Sequence, residues 1–152
     1  MVSMTEVMLK PVTVTNWKDA IKLSVRDDQR TFVAHNLYSI AQSQYYDSWE
    51  PMAILSSDGE MVGFVMWGRD DDPPEPEWWI IRLMVDQAHQ GEGYGKAATL
   101  AAIEELRKKG ATEVYLSFEP SNEYARGFYE HLGFEDTGKI DEGEIVYRLN
   151  LD

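Results

Sequence analysis

Apolar and polar residues recur along the chain in blocks whose period changes between two and about 3.6, and each change marks a predicted element. Residues 6–13 alternate weakly and are rich in Val and Leu, which predicts a first strand. Thr15 or Asn16 then caps a helix whose apolar positions Trp17, Ala20, Ile21 and Val25 share one face. A second helical region spans 28–48 and is broken or loop-like near Asn36. Two apolar strands, 51–56 and 61–68, flank Ser57-Asp58-Gly59-Glu60, where Asp-Gly predicts an antiparallel hairpin. The run 78–85 is apolar except for Arg82, the pattern of a central strand buried on both faces. Residues 97–109 form a helix with Leu100, Ile103 and Leu106 on one stripe and Gly110 as its stop. A strand over 113–118 lies parallel to 78–85 through a right-handed crossover. Ser121 or Asn122 caps a short helix with Ala125, Phe128, Tyr129 and Leu132 inward and Gly133 at its end, and 144–149 is the last strand. This β-α-α-β-β-β-α-β-α-β order predicts an α/β (α+β) mixed sheet with helices on both faces.

Composition narrows the picture. The 152 residues suit a single domain, 1–152, with a substantial core. There is no cysteine, which excludes disulfides, thiolate metal sites and an acyl-cysteine intermediate. Met1–Glu6 lacks the basic and apolar segments of a leader, and no apolar run approaches 18 residues, so a soluble, cytoplasmic protein without membrane contact is expected. The net charge of −13 disfavours nucleic acid and favours a small cationic partner. Residues 70–77 combine prolines and acids and read as a solvated connector or an acidic rim. His35 reads as a surface or pocket-edge residue and His89 and His131 as solvated ones, and with no clustered partners no metal is expected.

The richest candidate chemistry lies in 83–96, where an apolar strand runs into Gly91, Gly93 and Gly95 and then into a helix. Backbone N–H groups converge at such a turn and favour an anion. A dinucleotide fingerprint fails, because the sixth position from Gly91 is Lys96 and from Gly93 is Ala98. A P-loop fails as well, because Gln90 and Ala97 stand where glycine and Ser or Thr are needed. From the residues alone, an ordinary glycine-rich turn and an anion cradle both stay open.

Gln90-x-x-Gly93-x-Gly95 resembles the pyrophosphate-binding signature of the GNAT acetyltransferase superfamily. Downstream, Asn122-x-x-Ala125-x-x-x-Tyr129-x-x-x-Gly133-Phe134 resembles its second signature. The resemblance implies the GNAT acyl-CoA N-acyltransferase fold, a mostly antiparallel central sheet whose parallel fourth and fifth strands splay to admit acetyl-CoA. It implies that Leu83, Met84 and Val85 hold the pantetheine arm and that Gln90, Gly91, Glu92, Gly93, Tyr94, Gly95 and Lys96 hold the pyrophosphate. Asn122 would bond the pantetheine or the fifth strand. Tyr129 would contact the donor and protonate the leaving thiolate, and the Met84 N–H would meet the oxyanion. The implied reaction is direct acetyl transfer to a primary amine. Such an amine has a pKa near ~10, so only about one molecule in a thousand is neutral near pH 7 and a base or water chain is needed. Many family members carry a glutamate about six residues before the position of Val85; Trp79 stands there, Glu77 and the acidic loop relaying through water or Asp86 at the strand end are the alternatives, and the base is left unassigned.

The N-terminal half also resembles bacterial spermine/spermidine acetyltransferases, through Gln29-x-x-Phe32-Val33-Ala34, Ser39-Ile40-Ala41, Tyr45-Tyr46, Gly63-Phe64-Val65-Met66-Trp67-Gly68 and Trp79-x-x-Arg82. That implies a polyamine acceptor, with Glu77, Trp79, Arg82 and Tyr38 as candidate contacts. Arg82 reads equally as half of a buried ion pair. The aromatic residues Trp49, Trp67, Trp78, Trp79 and Tyr38 suit cation-π contact and suit core or interface packing as well. The family resemblance further implies a homodimer. Acetylation of another amine or of a protein N-terminus, and acetyl-CoA binding without catalysis, are the competing readings.

Overall fold

Strands β1 (Val7–Pro11), β2 (Glu50–Ser56), β3 (Met61–Asp70), β4 (Glu77–Val85), β5 (Glu113–Phe118), β6 (Glu135–Asp141) and β7 (Glu144–Asn150) form one sheet. Its spatial order is β1-β2-β3-β4-β5-β7-β6. Every neighbouring pair is antiparallel except β4 and β5, which run parallel. Helices α1 (Trp17–Lys22), α2 (Asn36–Ser43), α3 (Tyr94–Lys108) and α4 (Glu123–His131) cover the two faces, with single 3-10 turns at Asp27–Gln29 and Gln87–His89. This computed structural model describes residues 5–72 and 75–151. Met1–Met4, where the leader reading falls, the Pro73-Pro74 step of the acidic connector, and Asp152 lie outside the described residues.

Alternation along β3 divides the interior. Val65 and Trp67 join one large core with Ala98, Ala102 and Leu106 of α3 and Ala125 of α4, and Val62, the extra residue where the β2 register shifts, is turned to the same side. Phe64 and Met66 point the other way and meet Met84, with Leu23 and Ile40 packed behind them. Small residues on the inward stripe of α3 let that helix sit close to the sheet, and the Thr99 hydroxyl is satisfied by donating to the Gly95 carbonyl at 2.7 Å. Leu100, expected on this stripe, is 44% exposed, and Ala98, Ala102, Ile103 and Leu106 form it instead.

Both long helices on this face end in the same way. In α3, Ala111 N–H bonds the Leu106 carbonyl and Gly110 N–H bonds Arg107, with Gly110 at φ 98°. In α4, Phe134 N–H bonds Tyr129 and Gly133 N–H bonds Glu130, with Gly133 at φ 102°. Each is a Schellman stop that needs a left-handed residue, which glycine adopts at little cost.

Several expectations are corrected. Helix α1 ends at Lys22, and Leu23 is already extended, so Val25 lies beyond it. The second helical region is not a helix broken at Asn36. It is a helix that starts there, capped by His35, whose Nδ1 accepts from Leu37 N–H. Asn36 is buried because its amide donates to the Ala20 carbonyl at 2.9 Å and ties α2 to α1. Strand β6 was not anticipated at all. It is an exposed edge strand whose polar residues show no alternation, and its pairing with β7 is broken between Asp136 and Ile140.

Strand β4 departs most from expectation. It is not sealed on both sides: only Ile80 and Met84 are buried. Opposite β3, Met66 faces Arg82 and Trp67 faces Ile80, so Ile81 is an extra, bulged residue. A bulge bends and twists a strand. Beyond it β4 leaves β5, since their pairing is confined to Trp78 with Val114 and Trp79 with Tyr115. At ~3.3 Å per residue, this frees an edge of about 20 Å between Trp79 and Val85.

Candidate active site

The gap between β4 and β5 opens into a cleft of about 1720 Å³ that crosses the sheet. Leu83, Met84 and Val85 line its β4 wall, and Ser117 and Phe118 its β5 wall. Peptide orientation along β4 follows from two contacts. Asp86 N–H donates to Val62 of β3 at 2.8 Å, and a Cβ built on Gly63 would lie 2.5 Å from the Met84 carbonyl. Alternation therefore turns the Met84 peptide groups toward β3 and the N–H groups of Leu83 and Val85 toward the cleft. The Met84 amide expected at an oxyanion is thus already used in the sheet, and the free donors are its two neighbours.

The glycine loop closes one end. Gly91 and Gly93 have φ of 82° and 87°, a conformation that favours glycine, and nothing lies within 4 Å of a Cβ at Gly91. Gly93 is the N-cap of α3 and supplies no side chain to the helix, so the first-turn amides of Tyr94, Gly95 and Lys96 have no side-chain cap. With the Lys96 ammonium beside them, these groups suit a pyrophosphate, and the unpaired β4 edge suits an amide-bearing arm. Two neighbours hold the loop. Gln90 Nε2 donates to the Val85 carbonyl at 3.0 Å and to Gln29 Oε1 at 2.9 Å, and Thr5 Oγ1 donates to the Glu92 carbonyl at 2.8 Å. Glu92 itself does not line the cleft. His89, expected to be solvated, is half-buried between Glu60 and Glu92 at 3.6 and 3.7 Å and edge-on to Tyr94.

Tyr129 reaches the cleft from α4. It occupies the position whose carbonyl accepts in the Schellman stop, and Phe134, the donor residue, packs against it at 5.6 Å between ring centroids. Phe118 and Phe128 add rings at 6.0 and 5.1 Å. Burial among these rings, with the nearby Tyr124 adding to it, pushes the phenol well above its ordinary range. Its hydroxyl has no hydrogen-bond partner among the described residues. Asn122, by contrast, is engaged as a helix cap, with Oδ1 accepting from Ala125 N–H at 3.1 Å.

On the opposite face of the sheet, the cleft wall belongs to β4, α2 and the hairpin joining β6 and β7. Among the described residues Arg82 has no ion-pair partner, although one was anticipated. Its guanidinium donates to the Ile81 carbonyl at 2.9 Å and to Gln42 Oε1 at 3.2 Å, and Nε is buried without a partner. Burial depresses the Arg82 pKa, while the negative Glu144 and then Tyr38 oppose that shift. Glu144 is itself held by Ser117, whose hydroxyl donates to Oε1 at 2.8 Å. Trp79 lines the cleft and stacks on Tyr115 at 5.6 Å. Glu77 and Tyr38 do not line it: Glu77 accepts from Trp79 Nε1 at 3.3 Å, and Tyr38 is 60% exposed on α2. Of the other tryptophans, Trp67 is core and donates to Glu50 at 2.6 Å, and Trp78 lies under Arg69. Trp49 stacks on Tyr46 at 4.2 Å and is seated on Gly68, where a Cβ would meet its indole at 2.4 Å.

Acidic groups rim this side from three separate elements: Asp47 after α2, Asp70–Asp72 after β3, and Asp141, Glu142 and Glu144 at the hairpin. Among the described residues, Asp71 alone of these has an ion-pair partner, Arg69 at 2.6 Å. Ser117, Glu144 and Gln42 escaped the sequence reading. Alternation in β5 did carry a signal, because inward Val114, Leu116 and Phe118 turn Ser117 to the other face. No group of metal-binding side chains occurs among the described residues, and no helix among them is long and apolar enough to cross a membrane.

Residues 17–134 match the family described as the acetyltransferase (GNAT) family. The chain belongs to that family. It is an acetyl-CoA-dependent GNAT N-acetyltransferase. A spermine/spermidine N(1)-acetyltransferase of Bacillus subtilis is 28% identical over 144 residues, 91% of this chain and 94% of that protein. A mycothiol acetyltransferase of Beutenbergia cavernae is 41% identical, but over 58% of this chain and 30% of its own length. Among solved structures, a PaiA N-acetyltransferase from Thermoplasma acidophilum in complex with coenzyme A superposes with a TM-score of 0.71 at 15% identity, covering 95% of this chain and 99% of that one. The ribosomal-protein-S18-alanine N-acetyltransferase of Escherichia coli gives 0.72 at 21% identity, covering 96% and 94%. The GNAT N-acetyltransferase fold is thus that of this chain, with β4 and β5 parted as the family resemblance implied.

Proposed function

We propose that this N-acetyltransferase moves the acetyl group of acetyl-CoA to a terminal amine of a polyamine such as spermine or spermidine. One observation carries the reading: the acidic rim drawn from three elements, with the Tyr46–Trp49 stack beside it, surrounds the acceptor side of a cleft whose other side suits the donor. A polycation gains from such a rim through steering and from aromatic faces through cation-π contact. Similarity to the Bacillus spermine/spermidine enzyme over nearly the full length supports the same acceptor class.

In this reading the pantetheine lies along the free β4 edge as an added strand, and the pyrophosphate sits on the first turn of α3. The amine enters from the α1/α2 face and attacks the thioester carbonyl. Leu83 and Val85 N–H groups are the donors available to the oxyanion. Tyr129 gives its proton to the departing sulfur. With its pKa raised, the phenol stays protonated throughout the working range, so it is always present as a donor.

The test is the initial rate of free CoA release from acetyl-CoA near pH 8, with and without spermine, at low and moderate salt. A saturable spermine-dependent rate whose KM rises with salt is expected. Release with neutral or aromatic amines but not with spermine would overturn the polyamine reading.

A further inference from the structure

The reaction requires a proton to leave the acceptor ammonium before attack, and neither acid nearest to the site in sequence is arranged to take it. Asp86 is committed: Oδ1 accepts from Ser24 N–H at 2.9 Å and Oδ2 from Ala88 N–H at 3.4 Å, and the residue lies outside the cleft. Glu77 is bonded to Trp79 and stands at the closed end of the parted strands, about 20 Å along β4 from Leu83 at ~3.3 Å per residue.

We propose that Glu144 takes the proton from the acceptor amine. The inference rests on the reading of the chain as an enzyme acetylating an amine, and supplies the base that β4 lacks. Glu144 begins β7 beside Ile145, which pairs with Phe118, and Phe118 in turn contacts Tyr129. Its neighbours Ile145 and Tyr147 point into the core with α3 and α4, so Glu144 points to the other face, where Ser117 and Arg82 are. The carboxylate and the Tyr129 phenol thus line one cleft from opposite faces of the sheet. This division matches the reaction, in which the amine loses its proton on one side of the carbonyl and the sulfur gains one on the other.

Two features make Glu144 more than one acid of the rim. Ser117 bonds one oxygen of a half-buried residue that lines the cleft, whereas Asp141 and Glu142 are exposed at the hairpin tip. Arg82 faces it across the opening without forming an ion pair, held back by Gln42 and the Ile81 carbonyl. The charged and titratable groups around Glu144 are Arg82 of β4, Asp141 opposite it in the hairpin, and Tyr38 of α2, which shares Arg82 with it.

The step balances as follows. The ammonium N–H bond breaks, its proton passes to the Glu144 carboxylate directly or through one water, and the freed electron pair forms the C–N bond. The C–S bond breaks as sulfur accepts the Tyr129 proton. The amide nitrogen sheds its second proton, the phenol is reprotonated, and Glu144 returns its proton to solvent. The net products are the acetamide, CoA thiol and one proton.

The experiment compares wild type with Glu144→Gln over pH 6–10, using spermine and acetyl-CoA. Gln keeps an oxygen for the Ser117 hydroxyl, so melting temperature and acetyl-CoA affinity should match wild type. At pH 7 kcat should fall about 100-fold or more, the usual worth of a general base. The variant's rate should then climb about tenfold per pH unit toward the amine's own pKa near ~10, while the wild-type rate levels off earlier. Ser117→Ala, which frees the carboxylate, should lose less and keep the wild-type profile shape. A Glu144→Gln profile superimposable on wild type, or a raised KM with kcat intact, would overturn the proton role while leaving acetyl transfer standing. A wild type that acetylates no amine would overturn the parent reading instead.

Discussion

Gly63→Ala tests whether the seating of β4 against β3 sets the chemistry. Gly63 carries no left-handed φ, so the substitution has no conformational cost of its own. It brings a steric one. The new Cβ would lie 2.5 Å from the Met84 carbonyl oxygen, 3.0 Å from Ile54 Cδ1 and 3.3 Å from Val85 Cα. The Ile54 methyl can rotate away, but the other two are backbone atoms. Relief requires β4 to move by about 0.9 Å, from 2.5 Å to ordinary contact at ~3.4 Å. Overpacking of this kind costs about 1–3 kcal/mol, and at ~2–4 °C per kcal/mol in a chain of this size the melting temperature should drop by about 2–12 °C. The same shift carries the Leu83 and Val85 amides off the carbonyl they are proposed to hold, and a 1 Å misplacement costs about 100-fold in rate. Gly59→Ala is the control. With φ of 86° and nothing within 4 Å, it should cost about 1–2 kcal/mol of strain and leave kcat unchanged. Steady-state kinetics and calorimetry on both variants give the answer. Wild-type kcat in Gly63→Ala at an unchanged melting temperature would refute the geometry of the β4 edge given above.

Two further predictions concern tyrosines. Tyr129→Phe removes the hydroxyl proposed as the proton donor while keeping the ring contacts with Phe118, Phe128 and Phe134; kcat should fall about 100-fold or more with acetyl-CoA affinity kept, and undiminished turnover would remove Tyr129 from the mechanism. Tyr115, Tyr129 and Tyr147 all have raised phenol pKa values, in each case first through burial. The folded state therefore holds these protons more tightly than the unfolded chain. Their contribution is complete below the ordinary phenol pKa near ~10 and is lost as pH rises beyond it. Urea midpoints should accordingly be flat from pH 8 to 9 and fall above about 10, more gently in Tyr129→Phe; equal slopes would contradict the raised phenol pKa of Tyr129.

What the sequence revealed, and what it hid, follow from how local each determinant is. The glycine cradle, the hairpin at Gly59 and the stop at Gly133 are encoded by left-handed positions that few residues other than glycine tolerate, so they can be read from a single residue. The Asn122 cap is equally local. The parting of β4 and β5 depends instead on a bulge at Ile81, which exists only in register with β3, so an apolar run looked like a sealed strand. Strand β6 is held by backbone pairing to β7 and leaves no hydrophobic period to detect. Glu144 lies 27 residues from its Ser117 anchor and 62 from Arg82, and only the sheet order brings the three together.

That contrast also bears on why acceptor identity is harder to read than family. The donor side rests on the large core, where α3, α4 and the inner face of the sheet interlock and the glycine loop is fixed at both ends by Gln90 and Thr5. On the proposed acceptor side the buried apolar cluster among the described residues is Phe64, Met66 and Met84, beneath α1 and α2, and the rim is built from exposed side chains on loops and an edge hairpin. Substitutions in a packed core cost stability, whereas those on a rim cost little. A fold can therefore keep the acetyl-CoA half nearly constant while its acceptor half is rebuilt, consistent with polyamine, mycothiol and protein acetyltransferases all being similar to this chain. Glu144 lies where the halves meet, anchored by a strand of the core sheet yet turned to the acceptor side. If it takes the amine's proton, the base belongs to the constant half and can serve a new acceptor without being rebuilt. Rim changes at Asp47 or Asp70–Asp72 should then move KM between amines, while the pH profile of kcat stays that of the enzyme.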